Sequence, residues 1–227
     1  IESISINKDY FRLEMSKKYG YKKKYKNSNI GDDTVAIKEV KSLLNKLSDK
    51  TYEKISSKII DKLENKEYLK RMIIDTILEI CIIHTDYIDM YLSLIKNIYT
   101  INNDTKQMIE YSLKDLYKNI KEMDMSAESE YLEFCKKNKQ LDKLMGYNIL
   151  VTQCELKKII EGYIDNTILE FIDILKEKEE EEKYKCVQCL YMIFKYYYGD
   201  RHISKNHELK LKELVKNETI NKIKFKL

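Results

Sequence analysis

Proline is absent from this chain and glycine occurs only five times, where an average protein carries about 5% and about 7%. These residues break helices and shape strand turns, so their scarcity favours long helices joined by polar loops. Long apolar runs are missing too. The best, Ile73 to Ile83, is interrupted by Asp75 and Glu79, which leaves no stretch of bilayer-spanning length and no membrane role. No secretory signal opens the chain, and the first residue is Ile1, as in an excised domain. Five cysteines are an odd number in a long chain, which excludes an extracellular disulfide framework and leads us to expect reduced thiols in the cytoplasm. With three histidines, no glycine-rich phosphate loop and no Ser-His-Asp spacing, catalysis has little raw material. The chain reads as a non-enzyme, with no cofactor, no metal and no small-molecule substrate.

What is present is 43% hydrophobic residues in 227, enough for one large core or two small ones. Lysine plus arginine (42) nearly balance aspartate plus glutamate (38), for a net charge of +4. Bulk charge of that size does not argue for nucleic acid, so any basic function must come from clustering. Lys, Asn, Ile and Tyr are abundant, a mixture that an AT-rich genome also writes, so composition overstates the helical case.

Residues 1–33 differ from the rest. Lys17, Lys18, Lys22, Lys23, Lys24 and Lys26 interleave with Tyr19, Tyr21 and Tyr25, and apolar periodicity is poor. We expect an extended basic arm whose lysines neutralise phosphates and whose tyrosines stack on unpaired bases, against the plainer reading of a solvated tail. Helical periodicity starts near Thr34, with Val35, Val40, Leu43, Leu44 and Leu47 on one side. Ser48-Asp49 is expected to cap the next helix, which starts at Thr51 and carries Tyr52, Ile55, Ile59, Ile60 and Leu63. Further helices are expected from about Glu67 to Ile83, Tyr87 to Tyr99, Lys106 to Met123 and from about Glu130. Gly146 marks either a break or a crowded packing point. Ile149 to Ile172 reads as two well-buried helices, Lys176 to Lys183 as an exposed helix end and loop, and Cys186 to Tyr198 as a central helix, apolar almost all round. About nine or ten helices with short connections and no strand signature predict an all-α fold, most simply a stacked α-solenoid of antiparallel pairs over 34–227.

Several blocks, in order, resemble the middle domain of the eukaryotic translation initiation factor 4-gamma family. Val40 to Tyr52, with its Leu44-Asn45-Lys46-Leu47 core before Ser48, is the most specific; Asp49 stands where that family has proline. Leu69 to Glu79 with Tyr87 to Tyr91, Gly146 to Ile172, Val187 to Phe194 with Asp200, and Ile220 to Phe225 come after it in the family's order. The resemblance implies about five HEAT-type helix pairs and a translation-initiation scaffold gripping a DEAD-box RNA helicase of the initiation factor 4A kind, favouring its closed state. It places helicase contacts at Leu44, Leu47 and Tyr52, and further ones at Leu150 and Val151 and at the end of the Cys186–Tyr198 helix. The bland reading of these apolar positions is core packing. Tyr10 and Met15 loosely match the family's motif for a cap-binding protein, with Ser16 departing from it. A kindred expectation without a helicase is a HEAT-type adaptor that binds mRNA. Cys186, Cys189, His202 and His207 could form a zinc site, but buried structural cysteines are the simpler expectation.

Overall fold

A computed structural model describes residues 30–64, 67–101, 103–177, 180–198 and 205–217. Among them are nine α-helices and no strand. They are α1 (Ile30–Leu44), α2 (Tyr52–Leu63), α3 (Glu67–Cys81), α4 (Ile88–Ile98), α5 (Asn103–Lys121), α6 (Glu130–Leu156), α7 (Tyr163–Glu177), α8 (Glu180–Ile193) and α9 (Lys205–Asn217). A single 3-10 turn, Thr85–Tyr87, leads into α4, and α8 runs on as a π-helical turn, Phe194–Tyr198. No helix among the described residues is long and apolar enough to cross a membrane.

Helix α1 covers Ile30–Leu44, so residues 30–33, expected in the arm, are helical. The basic run Lys17 to Lys26, the pair Tyr10 and Met15, Asp200, His202 and the Ile220 to Phe225 block lie outside the described residues.

Helix formation follows the apolar stripes. Ile55, Ile59 and Leu63 recur at four-residue spacing and are buried on α2, while Ile88, Tyr91, Leu92, Ile95 and Ile98 seat α4. Every such stripe joins one continuous core running from Ala36 to Leu211. Most successive helices pack on each other, and helices two places apart also touch: α1 on α3, α2 on α4, α3 on α5, α4 on α6, α6 on α8 and α7 on α9.

Two features refine the expectation. The segment around Gly146 is one unbroken helix of 27 residues. A Cβ at Gly146 would stand 2.0 Å from the Ile82 carbonyl oxygen, so this glycine marks a crowded packing point, the second of its two readings. In addition, α6 is more of a hub than α8. It touches α3, α4, α5, α7 and α8, whereas α8 is held chiefly by α6 and α7. The other half of α6 behaves differently, because residues 130–135 are all exposed.

Candidate protein interaction face

The turn between α1 and α2 is built from its hydroxyls. Thr51 Oγ1 donates to the Lys46 carbonyl (2.8 Å) and accepts from the Ser48 amide (3.0 Å), with Ser48 Oγ 2.9 Å away. Thr51 sits at the N-cap of α2, yet its side chain makes no capping bond. The expected Ser48-Asp49 cap is therefore replaced by a Ser48–Thr51 clasp that ties the turn back to the end of α1.

This turn carries the expected helicase anchors, and the fold turns most of them inward. Leu44 has no exposed surface and Leu47 only 8%. Tyr91 reaches across from α4 to donate to the Leu44 carbonyl (3.3 Å). Leu150 is wholly buried and Val151 almost so. These four side chains belong to the core and cannot be offered to a partner while the fold is intact; the expectation of apolar anchors there is corrected. The reason is geometric: each faces a neighbouring helix that the periodicity of its own segment cannot reveal. Tyr52 alone is partly exposed. Its hydroxyl accepts from Asn97 Nδ2 (3.1 Å), and partial burial, with Glu53 nearby, holds the phenol above its ordinary range.

Side chains that sequence reading passed over do reach the surface. In the turn between α3 and α4, Ile83 is 63% and Tyr87 50% exposed. That turn lies against α6, because Ile82 is the residue whose carbonyl closes on Gly146. The helix segment at Gly146, just before the expected contacts Leu150 and Val151, is thus the seat of an exposed apolar turn. A local signal existed, since Ile83 closes an apolar run immediately before His84-Thr85-Asp86.

The end of α8 is tied down. Tyr197 donates from its hydroxyl to Glu155 Oε1 (3.4 Å), and Glu155 Oε2 accepts from the amides of Tyr163 and Ile164 (2.8 and 2.9 Å). A carboxylate from α6 thereby satisfies the first free amides of α7, where the helix dipole favours negative charge. Beside it, the hydroxyls of Tyr147 and Tyr163 share a hydrogen bond of 2.8 Å, and the Tyr117 ring lies 5.2 Å from that of Tyr147. Burial pushes the Tyr117 and Tyr147 phenols well above their ordinary value.

Cys186 and Cys189 are buried on α8, and burial pushes both thiols up to about 12. Cys81 and Cys154 are buried as well, while Cys135 is exposed. His207 is buried on α9, its Nε2 3.9 Å from Asp165 Oδ1. Among the described residues, no three His, Cys, Asp or Glu side chains are gathered as a metal would require. The acidic run entering α8 is a helix start: Glu181 and Glu182 hold Lys185 (3.1 and 3.2 Å), and the Lys185 bond, with that to Lys137, keeps the Glu181 carboxyl below its usual range.

One open cleft of about 360 Å³ lies where α2 and α4 end and α3 begins, lined by Ile60, Asp61, Leu63, Glu64, Lys70 and Ile98. Its polar rim is two carboxylates and one ammonium, the latter 5.5 Å from the Tyr99 ring centre.

The geometry defines an all-α protein whose exposed apolar groups include Ile83 and Tyr87 on a turn and Tyr131, Leu132 and Phe134 at the start of α6. No protein-family model, no curated protein and no solved structure matches the chain.

Proposed function

We propose that the chain is a binding scaffold of stacked HEAT-type helix pairs, α1/α2, α3/α4, α5/α6 and α7/α8, that holds a DEAD-box RNA helicase of the initiation factor 4A kind in its closed state. The observation that carries this reading is the packing of helices two places apart, the neighbour pattern of piled hairpins. The ordered sequence blocks from Val40 to Phe194 supply the partner. A scaffold of this sort contributes no chemistry. It shifts the helicase equilibrium only by binding one conformation more tightly than the other, about 1.4 kcal/mol for each tenfold shift. With Leu44, Leu47, Leu150 and Val151 in the core, the contact passes to Tyr52 and to the exposed Ile83 and Tyr87.

The test is a pull-down and an RNA-dependent ATPase assay with a helicase of that kind. Binding and stimulation are expected, and both should fall about tenfold or more in an Ile83→Asp/Tyr87→Asp variant, as for paired apolar anchors. Absence of both binding and stimulation by the unaltered chain overturns the reading.

The Lys17 to Lys26 run favours a second reading, an adaptor that holds mRNA through its arm. Removing residues 1–29 should then weaken RNA binding and flatten its salt dependence; unchanged RNA affinity would rule this out.

A further inference from the structure

The open cleft of about 360 Å³ where α2 and α4 end and α3 begins suits a cation with an apolar body. Ile60, Leu63 and Ile98 line it with hydrocarbon, and Asp61, Glu64 and Lys70 line it with charge. Leu63 and Ile98 are buried and Ile60 partly so, whereas Asp61 and Glu64 are exposed. Among the described residues neither carboxylate has an ion-pair partner, while Lys70 lies over the Tyr99 ring. The backbone has the same sign. Two helices, α2 and α4, end at the cleft and one, α3, begins there. The partial negative charge of two C-termini therefore outweighs the partial positive charge of one N-terminus.

The sequence that enters this end of the molecule has the complementary character. Glu39 of α1 is ion-paired with Lys62 of α2, so the two helices run antiparallel and the Ile30 end of α1 lies beside the Glu64 end of α2. Before Ile30 stand Lys22-Lys23-Lys24-Tyr25-Lys26 and Asn27-Ser28-Asn29, and no acidic residue occurs from Lys17 to Asn29. Five residues span up to about 17 Å, and packed helix axes lie about 8–10 Å apart. Tyr25 is thus tethered within reach of the end of α2, which forms one wall of the cleft.

We propose that the segment Lys22–Lys26 docks into this cleft of its own chain, with the Tyr25 ring against Ile60, Leu63 and Ile98 and the flanking Lys24 and Lys26 ammonium groups facing Asp61 and Glu64. The cleft lies near the small end of the roughly 300–1,000 Å³ range of ligand pockets, which suits one ring rather than a longer segment. Exposed ion pairs of this kind are individually weak, so a free peptide of this sequence should bind poorly. A short tether changes that, because it sets an effective concentration in the millimolar range, at which a millimolar contact is about half occupied. The docked state is accordingly reversible and weakened by salt. This inference rests on neither the helicase nor the mRNA reading.

The chain contains no tryptophan, so Tyr25→Trp places a single fluorophore in the docking segment of the full chain. Its emission should lie to the blue of that from the same chain unfolded in urea, and acrylamide should quench it about twofold less, as half-occupancy of the cleft requires. Dilution should leave that protection unchanged. High salt should remove it, as should an Asp61→Lys/Glu64→Lys background, in which helical circular dichroism should hold because both side chains are exposed. Asp61→Asn/Glu64→Gln, which keeps side-chain shape, should remove part of it. Quenching equal to that of the unfolded chain, protection that survives both sets of rim substitutions, or protection lost on dilution, which would mark the arm of a second copy as the guest, would each overturn the proposal.

Discussion

Gly146 shows how much a single missing methyl can decide. It lies mid-helix, where glycine costs backbone entropy, and it earns its place because the end of α3 closes on it. Gly146→Ala would drive a Cβ to 2.0 Å from the Ile82 oxygen, a backbone atom with little room to yield. Urea denaturation should show a loss of about 3 kcal/mol, as for overpacked sites. Buried acids act through pH. Cys154, Cys186 and Cys189 are raised by burial to about 12 from an ordinary 9.0, and the Tyr117 and Tyr147 phenols lie above their ordinary 10.0. The unfolded chain releases these protons first, so their contribution to stability is complete below about pH 9 and is lost as pH rises through the folded values. The urea midpoint should therefore hold level to about pH 8.5 and then fall, with a shallower fall in Tyr147→Phe. Sequence alone could name Gly146 and the cysteines but not choose between a helix break and a close approach, because the partner carbonyl comes from a distant segment, at Ile82.

At the scale of elements, helices were readable and their ends were less so. Stripes such as Ile55, Ile59 and Leu63 announce α2, and they are buried. Caps depend on which side chain arrives: Thr51 clasps its own turn, and the amides of α7 are met by Glu155 from α6. The end of α6 carries a testable compromise. Lys158 has φ 57°, its amide donates to the Glu155 carbonyl (2.9 Å), and that of Ile159 to the Cys154 carbonyl (2.8 Å). This is the Schellman pattern, with lysine where glycine is favoured. Lys158 is exposed and lies in the left-handed region that side chains resist. Lys158→Gly should stabilise the protein by about 0.5–1 kcal/mol, after allowing for glycine's greater entropy loss, and should raise the thermal midpoint by about 2 °C.

For the whole molecule, α6 joins the two halves of the chain. It touches α3, α4 and α5 from the N-terminal half and α7 and α8 from the C-terminal half, so the described helices should melt together. Calorimetry should show one transition with calorimetric and van't Hoff enthalpies in agreement; two resolved transitions would mean that α6 does not couple them. Exposed surfaces also belong to this scale. The apolar turn at Ile83 and Tyr87 and the face at Tyr131 and Phe134 are defined by what fails to cover them. Local sequence decided the all-α class, the approximate helix positions and the burial of the cysteines on α8, because proline-free stripes at helical spacing have few other ways to hide. Only the tertiary structure decided that Leu44, Leu47, Leu150 and Val151 are sealed inside while Phe134 stands in water. Periodicity marks which side of a helix is apolar, whereas exposure depends on whether another helix arrives to cover that side.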